Sequence, residues 1–176
     1  MESGSKWSEN PPEWTGKPVK IIQEAEQANV MLMGTFQHNI DKKGRVFIPA
    51  KMRSDLGERF VISYSVERKK CLAVYSMDGW NNLVYSIAKG MGMDKAKTYF
   101  RYLCSSASEA ECDAQGRVLI PQKLREYAGL GDTALIVGVS DSVEIWTQEN
   151  WDRERASFEE ENLEGLLSGI SMLGHE

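Results

Sequence analysis

The chain has 176 residues, 41% of them hydrophobic, which suits one ordinary domain or two small ones with real cores and is too short for much more. Its three cysteines, Cys71, Cys104 and Cys112, lack the paired spacing of a zinc site, and no run approaches the ~18 apolar residues of a membrane span. The net charge of −5 is unevenly placed: Asp41 to Lys70 holds nine basic against four acidic residues, whereas Ser140 to Glu176 holds two basic against ten acidic.

No cationic stretch leads into an apolar core near the start, so a cytoplasmic protein with reduced thiols is expected. The basic segment can present a positive face to phosphate if the acidic tail projects elsewhere. From charge alone, solvated surface on an ordinary domain accounts for it equally well.

Residues 1–30 are polar, contain three of the five prolines and show no sustained period, which reads as a flexible extension. The Ser-Gly-Ser near its start fits either a cloning remnant or an extended gene start, because Met31 opens a segment of different character.

In "DKKGRVFIPAKMRSDLG", Asp41 to Gly57, the flanks alternate as short strands and the turn predicts a hairpin. Gly44 supplies the positive φ of a tight connection, and Asp41 accepts from the amides ahead of it. Pro49 marks the first turn of a two-turn helix that Gly57 ends. A second copy, "DAQGRVLIPQKLREYAG" from Asp113 to Gly129, matches at 9 of 17 positions and repeats each device with Asp113, Gly116, Pro121 and Gly129.

Past each short helix come paired apolar runs typical of buried strands, "RFVISYS" with "CLAVYS" and "TALIVGVS" with "SVEIWT". Ser76 and Thr147 then stand as N-caps of further helices, each followed four residues later by a tryptophan, Trp80 or Trp151. The duplicated units therefore span 35–80 and 108–151, with one register slip between them, in an α+β arrangement. The linker 81–107 contains a helix with Ala96, Tyr99, Phe100, Leu103, Cys104 and Ala107 on one side. Beyond it, 152–176 is an acidic helical tail, whose helix is expected to run from about Gln148 to Leu167 before "SGISMLGHE" frays. Phe47, Ile48, Leu119 and Ile120 read as core strand residues.

Enzymatic chemistry finds little support. Only His38 and His175 are present, neither with a metal-ligand partner at close spacing, and no phosphate loop or nucleophile elbow occurs. Asp41 and Asp113 each lie four residues before an arginine, which keeps a carboxylate ionised and poorly tuned for acid–base work near neutrality. No enzyme, metal or cofactor is expected.

For Asp41 to Arg45 and Asp113 to Arg117, a carboxylate that closes a turn and pairs with the arginine leaving it is a sufficient structural explanation. Against it stands the cluster Lys42, Lys43, Arg45, Lys51 and Arg53, the mixture of point charge and planar fork that binds phosphate and guanine edges. In the second turn Ala114 and Gln115 replace the two lysines, so the copies should contribute unequally.

The stretches "MLMGTFQHNIDKKGRVFIPAKMR", "ASEAECDAQGRVLIPQKLREYAGL" and "VGVSDSVEIWTQENWD" together resemble the MraZ family of bacterial transcriptional regulators, over Met31 to about Trp151. The resemblance implies two tandem SpoVT-AbrB domains, that is, AbrB-like swapped-hairpin, split β-α-β repeats forming one pseudo-twofold β-barrel core with flanking helices. It implies a ring-shaped homo-oligomer, an octamer or larger, that binds repeated sites in the double-stranded promoter DNA of the division and cell-wall gene cluster. Such a protein is cytoplasmic and nucleoid-associated, with no membrane partner. By position, the signature falls on Asp41, Gly44, Asp113 and Gly116 as turn-closing residues and on Arg45, Lys42, Lys43, Lys51, Arg53 and Arg117 as candidates for DNA contact. For Arg117 a DNA contact and a role in fold or subunit contacts both stay open. Two alternatives are an antitoxin-like AbrB-fold DNA-binding protein and a structural oligomer that binds no DNA. The departure from the family is the segment before Met31, where members usually begin.

Overall fold

A computed structural model describes residues 31–160. The expected N-terminal extension, 1–30, and the end of the acidic tail, 161–176, lie outside the described residues.

The first copy runs β1 (Leu32–Asn39), β2 (Arg45–Phe47), α1 (Ala50–Leu56), β3 (Arg59–Tyr64) and β4 (Leu72–Ser76), and continues into α2 (Met77–Met91) and α3 (Met93–Ser106). The second repeats the order with β5 (Ser108–Glu111), β6 (Arg117–Leu119), α4 (Gln122–Ala128), β7 (Thr133–Ser140), β8 (Ser142–Trp146) and α5 (Gln148–Glu160). Pro49 and Pro121, both at φ −52°, stand just before α1 and α4, where a missing amide donor costs nothing. Each short helix buries an i, i+4 pair, Met52 with Leu56 and Leu124 with Ala128.

The expected hairpin forms only at its turn, where the Asp41 amide donates to the Arg45 carbonyl at 2.9 Å. Beyond the turn, β1 and β2 share only the bridge Ile40–Val46, and each then pairs with the other copy. β1 lies antiparallel to β7, β5 to β3, and β2 to β6. The exchange lets Val46 and Val118, opposed in the β2–β6 ribbon, both be fully buried, whereas a three-residue strand paired only with its own neighbour covers little.

The six-stranded antiparallel sheet has the order β1-β7-β8-β4-β3-β5. Swapping each strand for its counterpart reverses this order, so a pseudo-twofold axis passes between β8 and β4. The sheet is open: β1 and β5 are its two edges, so the strands do not close into the barrel expected from sequence. Below it, the ribbon and the two short helices complete the core, which includes Ile48, Ile120, Phe60, Ile62, Ile136 and Ile145.

Both expected N-caps form. Ser76 Oγ accepts from the Gly79 amide at 3.0 Å and Thr147 Oγ1 from the Asn150 amide at 3.1 Å. Trp80 packs on Tyr75 and Trp151 on Trp146, with ring centroids 6.1 and 5.7 Å apart. Two apolar assignments are corrected. Cys104 is exposed, because α3 buries the narrower stripe of Ala96 and Leu103, and Leu119 is 53% exposed on the outer face of the ribbon. The helix also stops at Ser106, so Ala107 falls outside it.

On β7, Gly138 lies against the backbone of β1, where an added Cβ would lie 2.5 Å from the Met33 amide nitrogen. The obstacle is backbone and does not swing away. Gly138→Ala is expected to lower stability to urea by about 1–3 kcal/mol. Gly131→Ala, which meets nothing within 4 Å, serves as the comparison. Equal midpoints for the two variants would show that the strands part without cost.

Candidate nucleic-acid interface

The outer face of the β2–β6 ribbon is built by period-two alternation: Val46 and Val118 point inward, leaving Arg45, Phe47, Arg117 and Leu119 on the other side. Register sets Arg45 opposite Leu119 and Phe47 opposite Arg117. At the two ends of this face sit the duplicated turns.

Within the first turn, Asp41 Oδ1 accepts from the amides of Lys43 and Arg45, both at 2.9 Å. Its Oδ2 accepts from Arg45 Nε at 2.8 Å and Nη2 at 2.7 Å. The second turn repeats this: Asp113 Oδ1 takes the amides of Gln115 and Arg117 at 3.0 and 2.9 Å, and Oδ2 takes Arg117 Nε and Nη2 at 2.9 and 2.8 Å. The turns are also joined. Arg45 Nη1 reaches Asp113 Oδ2 at 3.3 Å, and Arg117 Nη1 lies 3.9 Å from Asp41 Oδ2. Two arginines and two aspartates thus form one half-exposed cluster across the pseudo-twofold axis.

Gly44 and Gly116 bind the halves a second time. Their carbonyls accept from the amides of Ile120 and Ile48, each at 3.0 Å. Both glycines have positive φ, and each has an arginine of the other copy pressed against it. A Cβ on Gly44 would meet the Arg125 guanidinium at 2.7 Å, and one on Gly116 the Arg53 guanidinium at 2.5 Å. Arg125 also donates through Nε to the Ile120 carbonyl at 3.1 Å, while Arg53 lies over the Phe47 ring at 5.4 Å.

The six cationic candidates therefore have different surroundings. Lys42 and Lys43 are exposed at the tip of the first turn, and Lys51 is exposed on α1. Arg45 and Arg117 are shared between both aspartates. Arg53 is half-buried against the second turn, its Nε enclosed and without a hydrogen-bond partner among the described residues. Arg125 and Leu119 also belong to this region, and neither was among the expected contact residues. The signal for Arg125 is its identity with Arg53 in the 72-residue repeat. The remaining cations of the basic segment are engaged elsewhere: Lys69 with Glu67 and Glu154, Arg59 with Glu109, and Arg68 and Lys70 over Tyr102 and Tyr127. His38 packs against Phe47 with its Nε2 buried and without a hydrogen-bond partner among the described residues. No described group of three or more potential ligands could hold a metal ion, and no described helix is long and apolar enough to cross a membrane.

The backbone hydrogen bond from Arg45, then its side-chain bond, holds the Asp41 carboxyl at about 2, and Asp113 is lowered for the same reasons by Arg117. A carboxylate lowered on folding stabilises above its unfolded value and loses that contribution as pH falls through its folded one. The parent should therefore exceed Asp41→Asn in resistance to urea at neutral pH. The difference is expected to hold down to about pH 4 and to shrink between there and about pH 2. Urea titrations showing a difference independent of pH over that window would contradict the assignment.

Comparison with known proteins agrees with this duplicated construction. The family model described as MraZ protein matches residues 31–101 and again 103–166. A transcriptional regulator MraZ of Desulforamulus reducens is 43% identical over 145 residues, covering 78% of this chain and 100% of that protein. That of Acetivibrio thermocellus is 40% identical, covering 82% and 99%, and that of Caldanaerobacter subterraneus subsp. tengcongensis is 44% identical, covering 74% and 93%. With both copies of the signature intact and near-complete coverage of these relatives, the chain belongs to the MraZ family of transcriptional regulators.

Proposed function

We propose that this chain regulates transcription by binding double-stranded promoter DNA through the β2–β6 ribbon and its two turns, and that the promoter is that of the division and cell-wall gene cluster. The reading rests chiefly on one feature: a rigid, outward ribbon face carrying Arg45 and Arg117, with the exposed amines of Lys42 and Lys43 added at one end only. A two-stranded ribbon fits the major groove, where arginine forks match guanine edges. Lysines at its tip and Lys51 on α1 supply sequence-independent contacts to phosphate. Arg53 is assigned a supporting role, since its guanidinium braces the second turn.

One ribbon neutralises few phosphates, so a single copy binds weakly. A ring-shaped homo-oligomer, an octamer or larger, gains affinity on repeated sites because each further contact is made at high effective concentration. In this reading the units 35–80 and 108–151 are SpoVT-AbrB domains whose pairing presents one ribbon per chain, and the protein is cytoplasmic and nucleoid-associated.

The test is fluorescence anisotropy with DNA bearing repeated short sites, titrated at several salt concentrations. Lys42→Ala with Lys43→Ala should weaken binding on every sequence and flatten the dependence of log affinity on log salt by roughly one for each phosphate that the variant no longer neutralises. Arg45→Ala should weaken binding much more than Arg117→Ala while both variants still assemble. The two arginines hold equivalent places in the Asp–Arg cluster, so a difference in affinity reports DNA contact rather than stability. Unchanged affinity and salt slope for the double lysine variant would defeat the proposal.

A further inference from the structure

Of the four side chains on the outer face of the ribbon, the most exposed is apolar. Arg45 and Arg117 show 27% and 31% of their side chains to solvent, whereas Leu119 is 53% exposed. Phe47, which holds the equivalent place in the first copy, is half-buried under the Arg53 guanidinium and beside the His38 ring. Leu119 has no such cover among the described residues and belongs to neither buried apolar cluster.

Register puts this leucine at one particular end of the ribbon. It lies opposite Arg45, and the next residue, Ile120, donates its amide to the Gly44 carbonyl of the first turn at 3.0 Å. Leu119 therefore stands beside the turn that carries Lys42 and Lys43, whereas Phe47 stands beside the turn with Ala114 and Gln115. Arg45 engages Asp41 and Asp113 through Nε, Nη1 and Nη2, and each terminal nitrogen keeps a second hydrogen for a guanine edge. The aspartates thus hold the guanidinium in place next to an exposed apolar group. Residues directly opposed across an antiparallel pair lie about 5 Å apart, and successive base pairs rise about 3.4 Å, so the two side chains reach the same or neighbouring base pairs. In the major groove, the apolar feature that a base pair presents is the C5 methyl group of thymine.

We infer that Leu119 contacts a thymine methyl in the major groove, within two base pairs of the guanine that Arg45 reads, and thereby sets a thymine preference at each site. This deepens the DNA-binding reading proposed above and rests on it. The lysines at the tip meet phosphate and are blind to that methyl group, so the preference separates Leu119 from its cationic neighbours.

Replacing thymine by deoxyuridine removes the methyl group and leaves every hydrogen-bonding group of the base in place. Duplex DNA of repeated short sites, enriched from a random pool by the full-length parent, is prepared with thymine or with deoxyuridine, and affinities are compared by fluorescence anisotropy. The parent should bind the uracil duplex about fourfold more weakly at each site, the effect of leaving one hydrocarbon group unburied. When thymines are replaced singly, the loss should trace to one position per repeat. Leu119→Ser should bind the two duplexes equally, and Leu119→Met, which keeps an apolar side chain of similar size, should restore the preference. Far-UV circular dichroism and sedimentation velocity on the same samples should show both variants folding and assembling as the parent does, because the side chain is exposed. A parent that binds both duplexes equally overturns the contact and leaves DNA binding standing. A thymine preference that persists in Leu119→Ser reports groove shape instead and also overturns it. A parent that enriches and binds no DNA overturns both readings.

Discussion

The cluster of Asp41, Arg45, Asp113 and Arg117 is the constraint on which the remainder of the structure hangs. Each aspartate closes its own turn through two amides and then holds its own arginine, and that arginine reaches the other turn's aspartate. Isolated exposed ion pairs contribute little to stability. Here the geometry is different in kind, because each carboxylate is already fixed by backbone donors before the arginine arrives, and each guanidinium is fixed from two sides. The entropy of ordering one member is shared by all four. Because the cluster straddles the pseudo-twofold axis, it ties together two turns that lie 72 residues apart in sequence.

The reciprocal contacts of Gly44 and Gly116 extend the same logic inward. Each glycine carbonyl is bonded by an isoleucine amide of the other copy, and each lacks a Cβ at the place where an arginine of the other copy lies. A positive φ alone would have accounted for the glycines in the turn. The arginine seat gives a second reason, and it accounts for an arginine at the same repeat position in both copies, Arg53 and Arg125. The half-buried arginines brace the turns, while the uncompensated charge is left to lysines at the tip.

How much of this was legible in the sequence follows from the range of each interaction. The turns, the short helices, the caps at Ser76 and Thr147 and the membership of the family were carried by residues close together, where spacing is itself the evidence. Spacing did not carry the strand exchange, because alternation identifies a strand without saying which strand it pairs with; only the family resemblance implied swapped hairpins. The same limit hid the arginine seats, which join residues of opposite copies. Leu119 looked like core because its neighbours Val118 and Ile120 are, but in a ribbon with one buried face alternate residues must point out. Cys104 fell on the apolar side of a helical projection, and the surface covering α3 proved narrower than that projection. For the cationic residues, composition located the segment and left the division of labour unread: a cross-copy cluster engages two arginines, while salt bridges and aromatic rings engage the loop from Glu67 to Lys70.

Duplication within one chain has a further consequence. Two identical chains related by a twofold axis must present every feature twice, so a basic tip or an extra helix would appear at both ends. Fusing the copies frees them to diverge while the shared cluster keeps the pairing. Divergence is visible in three places: lysines at the first turn against Ala114 and Gln115 at the second, α3 inserted over the first copy alone, and an acidic helix after the second. Each makes the two sides of the molecule unlike. The symmetry that holds the chain together is internal, and the asymmetry laid over it is what gives the ribbon one basic end.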